Sequence, residues 1–258
     1  MVQRIFAIIG YPIGQVRSPE VFNTRLKAAG SNNLMVPLEV APEDFASAVA
    51  GLRVMVNFAG LVVTVPHKIR AAELAIRSSA RVRAAGAANL LRPISGGWEA
   101  ELTDGIGFVA GLLAEGHAVA GQRVAIVGAG GAGLAIAEAL LAAGAEVAIT
   151  DVNPARCEAA GQRLSGLGRF RIAAPSRNDG IVVNATPLGM AAGDPIPVDL
   201  DAIGPEALVA EAIMKPAMTP LLEQAERRGH RTHAGRHMLD GQVPAIWDFL
   251  GMPDGRAG

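Results

Sequence analysis

The chain holds a single cysteine, Cys157, in 258 residues. An internal disulfide is excluded, and so few thiols fit a reducing compartment. No histidine is paired with Cys157 in the nearby sequence, so it reads as a packed thiol rather than a nucleophile. Long apolar runs are also missing. None approaches the roughly 18 residues that suggest a membrane span, and no basic-then-apolar leader opens the chain. The expectation is a cytoplasmic protein with no membrane partner. Charge is sparse and balanced, at 18% of residues and a formal net charge of −1. Nucleic-acid binding normally needs a basic face, so none is expected. Half the residues are hydrophobic, which excludes disorder for most of the chain, and the length allows one large core or two modest ones.

What is present centres on Arg123-Val-Ala-Ile-Val-Gly-Ala-Gly-Gly-Ala-Gly-Leu134. Val124–Val127 reads as a buried parallel strand, and Leu134 to Ala143 as an alanine-rich helix. Between them lies Gly128-x-Gly130-x-x-Gly133. In such a turn Gly128 permits the tight bend, Gly130 lets the backbone approach a pyrophosphate, and Gly133 lets the helix pack close to the strand. Unpaired N–H groups and the positive dipole end of the helix then face the phosphates. A second strand, Glu146–Thr150, ends in Asp151, about 20 residues beyond the glycines, where an acid accepts from a ribose 2′-hydroxyl. The expected cofactor is NAD(P), held at Gly128, Ala129, Gly130, Gly131, Ala132, Gly133 and Asp151.

Before this stretch, strands are expected at Ile5–Ile9, Leu34–Val40 and Gly60–Val65. Helices are expected after Ser18, read as an N-cap followed by Pro19 at the first helical position, and after Pro42. A hairpin is expected around Ser95-Gly96-Gly97, and a helix from Ile106 to Leu113 should lead into the nucleotide-binding part. Later strands are read at Gly168–Ala173, Ile181–Asn184 and Val209–Ile213, with one or two helices from His237 to Leu250 and a frayed end, Asp254–Gly258. Alternating strands and helices imply an α/β protein whose sheets are mainly parallel. The expected organisation is a substrate-binding domain, residues 1–103 and 237–258, and a Rossmann-type domain, residues 104–236.

Transferring a hydride to a carbonyl leaves an oxyanion that must be protonated, and the reverse reaction needs a base. Lys68, just past the strand that Pro66 stops, is the candidate; a solvated surface lysine is the ordinary alternative. Asp104, at a helix start, is its natural partner; the ordinary alternative there is a helix cap. His230-x-x-His233-x-x-x-His237 has a metal-like spacing, but no Asp or Cys ligands lie nearby and no metal is expected.

Together these segments resemble the shikimate dehydrogenase family almost end to end. The matching runs, in order, are Gly10-x-Pro12-Ile13…Ser18-Pro19…Asn23, Thr64-Val-Pro66-x-Lys68, Gly86-Ala-Ala-Asn89, Thr103-Asp104-Gly105, the glycine turn, Asn184-Ala-Thr-Pro-x-Gly189 and Gly235-x-x-Met238-Leu239-x-x-Gln242. The resemblance implies that Lys68 and Asp104 form a catalytic pair. It implies that Ser18 holds a carboxylate, and that Thr64, Asn89 and Gln242 contact ring hydroxyls. Thr186, Ile213 and Gly235 are expected to complete the cofactor side, and the cleft between the domains to be the active site. The implied activity is hydride transfer between a nicotinamide cofactor and a hydroxylated cyclohexene or cyclohexane carboxylate of the shikimate type, by a monomer or homodimer.

Three positions depart from the family pattern. Val16 stands where the loop normally has a second serine, Val62 where the strand has an asparagine, and Met214 where the late strand ends in a tyrosine. Each replaces a hydrogen-bonding group by an apolar one, which predicts weak turnover of shikimate unless Gln15, Arg17 or water compensates. Quinate or an amino-substituted ring acid is the neighbouring alternative, and a non-catalytic sensor of NAD and metabolite the alternative of another class. After the Glu146–Thr150 strand, members using the phosphorylated cofactor usually show Asn-Arg-Thr/Ser. Here Asp151-Val152-Asn153 stands instead, with only Arg156 to offer positive charge. NAD is therefore favoured over NADP.

Overall fold

A computed structural model describes residues 2–14 and 16–253, so the expectations for Gln15 and Asp254–Gly258 lie outside the described residues. The chain divides into two compact units, residues 1–102 with 244–258, and residues 103–243.

In the first unit, β1 (Ile5–Gly10) carries the buried run Phe6–Ile9, as a central parallel strand must. Helix α1 (Ser18–Ala28) buries Phe22 and Leu26, four residues apart on one face. Ser18 is not its cap. Arg17 holds that position without a side-chain bond, and Ser18 is the first helical residue, buried. The helix is instead helped by Glu20 in its first turn and by Arg25 and Lys27 in its last. After β2 (Leu34–Glu39), a 3₁₀ turn at Pro42–Asp44 leads into α2 (Phe45–Arg53). Every residue of β3 (Phe58–Val63) is buried. Then come α3 (Lys68–Leu74), β4 (Arg77–Ser78) and α4 (Ala80–Ala85), the last capped by Ser79 and ended by Gly86 in the left-handed region. The expected hairpin is β5 (Leu90–Ile94) with β6 (Gly97–Glu101). The sheet order is β2-β1-β3-β5-β6-β4. β1–β2, β1–β3 and β4–β6 are parallel; the hairpin's short turn forces its own strands to run antiparallel, and the β3–β5 pair is antiparallel as well.

The second unit opens with α5 (Asp104–Ala114) and continues β7 (Arg123–Val127), α6 (Gly131–Ala142), β8 (Glu146–Thr150), α7 (Pro154–Leu164) and β9 (Phe170–Ile172). Then follow β10 (Ile181–Asn184), β11 (Leu208–Glu211), α8 (Pro220–Arg227), β12 (Thr232–His233) and a single tail helix, α9 (Arg236–Leu250). The sheet order β12-β11-β10-β7-β8-β9 is parallel throughout and reverses direction between β7 and β10. That reversal is the doubly wound switch point, where ligands bind beyond the strands' carboxyl ends. Strands β4 and β12, two residues each, carry no sequence signal strong enough to predict.

The start of α9 packs within the second unit. A Cβ at Gly107 of α5 would strike the Met238 carbonyl and the Gln242 side chain, so only glycine permits this approach of α5 to α9. The last turns of α9 belong with the first unit, where Trp247 stacks on Phe22 and the Phe249 carbonyl accepts from Arg92.

Candidate active site

Three loops of the first unit gather at one end of its sheet. β1 and β3 are parallel, with Ile9 beside Val63, so the loops that follow them emerge side by side. They are tied together: the Tyr11 N–H donates to the Val65 carbonyl at 3.0 Å and the Thr64 N–H to Ile9 at 2.9 Å. A Cβ at Gly10 would collide with the Thr64 methyl, so the glycine that opens the first loop makes room for the threonine of the second. β5 runs the other way, which brings Asn89 to the same end; its carbonyl accepts the Val63 N–H at 2.7 Å. The Ala88 N–H donates to the Lys68 carbonyl at 2.8 Å, fixing the head of α3 beside Asn89. Thr64, Lys68 and Asn89 are thus brought together, and Lys68 is only 8% exposed. Burial disfavours the ordinary solvated-lysine reading, because an ammonium leaves water only where its surroundings compensate it. Val62, one of the departures, is buried in β3, while Val16 and Met214 are half-buried.

In the second unit, Asp104 is the first helical residue of α5 and is 3% exposed. The cap position belongs to Thr103, so the plain-cap reading of Asp104 does not hold. Thr103 donates its hydroxyl to the Gln242 side-chain oxygen at 3.1 Å, which orients the Gln242 amide.

The glycine turn has the shape its sequence predicts. Gly128 takes φ +107° and donates to the Thr150 carbonyl at 2.7 Å, and a Cβ on Gly133 would collide with the Gly128 carbonyl. Gly130, the N-cap of α6, faces open space. A pyrophosphate fits such a cradle, lined by backbone N–H groups at a helix N-terminus. Asp151 accepts the Ala129 N–H at 2.8 Å through one oxygen and the Asn153 N–H at 2.9 Å through the other. Arg156 stands 3.7 Å away, and the Asp151 side chain is 6% exposed. Beside it a cleft of about 390 Å³ is lined by Val127, Thr150, Val152, Pro175, Val198 and Asp199, among others. Nothing in the sequence singles out Asp199, because it enters from the loop after β10. No described residue lining this cleft is a cation. Cys157 is buried against the same turn: the Asp151 N–H donates to its sulfur at 3.2 Å.

At the carboxyl end of β10, Asn184 holds the next loop. Its side-chain oxygen accepts the Thr186 N–H at 2.9 Å and the Thr186 hydroxyl at 2.7 Å, and its amide donates to the Leu188 carbonyl at 3.0 Å. Gly235 lies so close to the Ile213 carbonyl that a Cβ would clash, so these two expected cofactor residues adjoin. Glu211, fully buried at the end of β11, is missed by sequence reasoning because one glutamate in an apolar strand gives no periodic signal. Burial drives its carboxyl up to about 7, although Asn184, Thr219 and the Ile213 N–H donate to it.

Of the three spaced histidines, two meet and one does not. His233 stacks on His237 with ring centroids 4.8 Å apart and meets His117 edge-on at 5.7 Å, while His230 bonds the Ala207 carbonyl instead. Among the described residues neither ring nitrogen of His233 has a hydrogen-bond partner, and burial lowers its pKa to about 4, helped by His237, His117 and Arg236.

Comparison with known proteins bears on both units. A family model described as the shikimate dehydrogenase substrate binding domain matches residues 8–91, and one described as the NAD binding domain of 3-hydroxyacyl-CoA dehydrogenase matches residues 123–185. The shikimate dehydrogenase (NADP(+)) of Acidiphilium cryptum (strain JF-5) is 40% identical, over 96% of this chain and 91% of that protein. Among solved structures, shikimate 5-dehydrogenase from Thermus thermophilus, in complex with NADP(H) and shikimate, aligns with a TM-score of 0.86 at 26% identity, covering 98% of this chain and 96% of that one. The Listeria monocytogenes enzyme, in complex with shikimate and NAD, aligns at 0.83 and 25% identity, covering 98% and 93%. Among the described residues no helix is long and apolar enough to cross a membrane.

Proposed function

Since the chain belongs to the shikimate dehydrogenase family and is an NAD(P)-dependent oxidoreductase of that type, we propose that it interconverts a ring carbinol and ketone on a hydroxylated cyclic carboxylate of the shikimate/3-dehydroshikimate kind. The observation that carries this reading is the burial of Lys68 and Asp104, each at the head of a helix and each in a motif of the family. The dinucleotide, when bound, supplies or accepts the hydride. The glycine turn at Gly128–Gly133 and the head of α6 hold its phosphates, Asp151 its adenosine ribose, and Thr186, Ile213 and Gly235 line its other half. Lys68, partnered by Asp104, gives a proton to the oxygen that forms from the ketone and takes it back in the opposite direction. Ser18 binds the ring carboxylate; Thr64, Asn89 and Gln242 orient the ring hydroxyls.

Shikimate itself is a weak substrate on this reading, because Val16, Val62 and Met214 present methyl and thioether groups where hydroxyls or a carboxylate need donors. Each unmet polar group costs roughly 1–3 kcal/mol. A ring acid with fewer or rearranged hydroxyls, quinate and amino-substituted acids included, suits the pocket better. NAD is preferred over NADP: Asp151 and Asp199 line the cleft beside Val152 and their negative charge repels a 2′-phosphate, with only Arg156, already paired with Asp151, to offset it. The Acidiphilium cryptum relative is named for NADP(+), so the preference rests on this chain's own residues. Initial-rate oxidation of shikimate and of quinate, each with NAD and with NADP, tests the whole reading. Efficient shikimate oxidation would overturn the substrate argument, and a clear NADP preference the cofactor argument.

A further inference from the structure

We propose that Glu211 is the positioning residue of the cofactor loop, holding Ala185–Gly189 and the head of α8 in register to receive the nicotinamide half of the dinucleotide. This rests on the reading that Thr186 and its loop line that half. β10 and β11 lie on the far side of the switch point from β8, whose Asp151 meets the adenosine ribose.

The geometry is a closed network. Asn184 and Glu211 are register partners on parallel strands, so their side chains stand side by side. The Asn184 amide donates to both oxygens of the Glu211 carboxylate, at 3.1 and 3.0 Å. Thr219, the N-cap of α8, donates its hydroxyl to the same carboxylate at 2.8 Å and accepts the Leu222 N–H at 3.3 Å. Glu211, Asn184 and Thr219 are all completely buried. Glu211 thereby selects the orientation of Asn184: with the amide drawn to the carboxylate, only the Asn184 oxygen faces Thr186, and that oxygen holds the loop.

The groups facing Glu211 are neutral donors: Asn184 from β10, Thr219 from α8 and the Ile213 N–H from the following loop. On the other side β12 places His233 beside Ala210, and burial keeps that histidine neutral. Lys215 and Glu206, the nearest charges along the chain, are exposed, and so is Glu223 on α8. An ionised Glu211 can accept from all three donors, whereas a protonated one must turn one oxygen into a donor and lose one of them. Burial puts this change near pH 7. Cofactor affinity should therefore depend on pH through a residue that need not touch the cofactor.

The test uses the full chain and compares the affinity of NADH with that of ADP-ribose, or NADPH with the 2′-phosphorylated fragment if that pair binds better. The ratio isolates the nicotinamide half and cancels any titration of the 2′-phosphate. In the wild type the ratio is expected to fall about tenfold between pH 8.5 and 6. Glu211→Gln should show the low ratio at both pH values with fragment affinity within twofold of wild type, and Glu211→Asp should recover part of it. A wild-type ratio that is flat with pH overturns the proposal even if the glutamine variant fails to fold. So does a Glu211→Gln protein that keeps the wild-type ratio, or one that weakens both ligands equally. If wild-type protein binds the whole dinucleotide no more tightly than the fragment at either pH, the loop assignment beneath the proposal fails, a result distinct from the others.

Discussion

Asp151 accepts the Ala129 N–H at 2.8 Å, so the acid at the end of β8 also braces the glycine turn that follows β7. On the proposed reading, one carboxylate both shapes the phosphate cradle and faces the position where the two forms of the cofactor differ. A carboxylate has lone pairs enough for the two backbone donors and a ribose hydroxyl.

Exchanging Asp151→Asn together with Val152→Arg should therefore reverse the cofactor ranking. Val152 is fully exposed beside Asp151, so an arginine there can reach a 2′-phosphate without disturbing the core. The expected change is about 10- to 100-fold in the NADP-to-NAD ratio of kcat/KM, equivalent to roughly 1.4–3 kcal/mol. Steady-state kinetics with both cofactors measures it, and an unchanged ratio places the discrimination elsewhere.

Lys68→Ala should lower kcat by about 10²- to 10⁴-fold, the usual contribution of a placed acid–base group. NADH affinity should remain as in the wild type, because the glycine turn and Asp151 lie in the other unit. Stopped-flow turnover paired with a cofactor titration separates the two effects; full activity in the variant would remove Lys68 from the reaction.

Placing polar groups at the three departures should improve shikimate as a substrate. Val16→Ser, Val62→Asn and Met214→Tyr, made together, are expected to raise kcat/KM for shikimate by at least about tenfold, given roughly 1–3 kcal/mol per recovered hydrogen bond. Val62 is buried in β3, so Val62→Asn alone costs stability unless ligand is present. A triple variant with unchanged kcat/KM would show that these three positions do not set the substrate.

Two buried groups should pull the pH dependence of stability in opposite directions. His233 has its pKa lowered to about 4, so its contribution is present above 6.5 and is lost as pH falls through 4. Glu211 has its pKa raised to about 7, so the folded state binds its proton more tightly and gains stability as pH falls from 7 to 4.5. Each amounts to at most about 3 kcal/mol, and they nearly cancel over the shared window. Urea unfolding at pH 7.5 and pH 5 should show His233→Leu becoming more stable relative to wild type at the acid pH, and Glu211→Gln less stable. Identical slopes for all three proteins would contradict both assignments.

Much of the architecture was legible because its signals are local. Apolar runs such as Val124–Ile126 are buried throughout, Gly128-x-Gly130-x-x-Gly133 encodes a turn within six residues, and Ser95-Gly96 closes a hairpin. The one misplaced cap was local too. Ser18 reads as a cap because Ser favours that position, yet Arg17 occupies it and Ser18 lies one residue inside its helix. Cap placement depends on where the chain enters the helix, which distant packing sets. Strands β4 and β12 were illegible because two residues carry no periodicity, and they pair only because β6 and β11 offer open edges.

The sequence by itself determined the fold class and the strand–glycine–helix turn, since each follows from short-range pattern and side-chain chemistry. Only the tertiary structure decided that Asn184, Thr219 and Glu211 meet in one buried network, that Asp199 joins Asp151 along a cleft, and that His117 joins His233 and His237. Those meetings depend on strand order and register, β11 beside β10 and β10 beside β7, and burial is what turns an ordinary glutamate or histidine there into one with a displaced pKa.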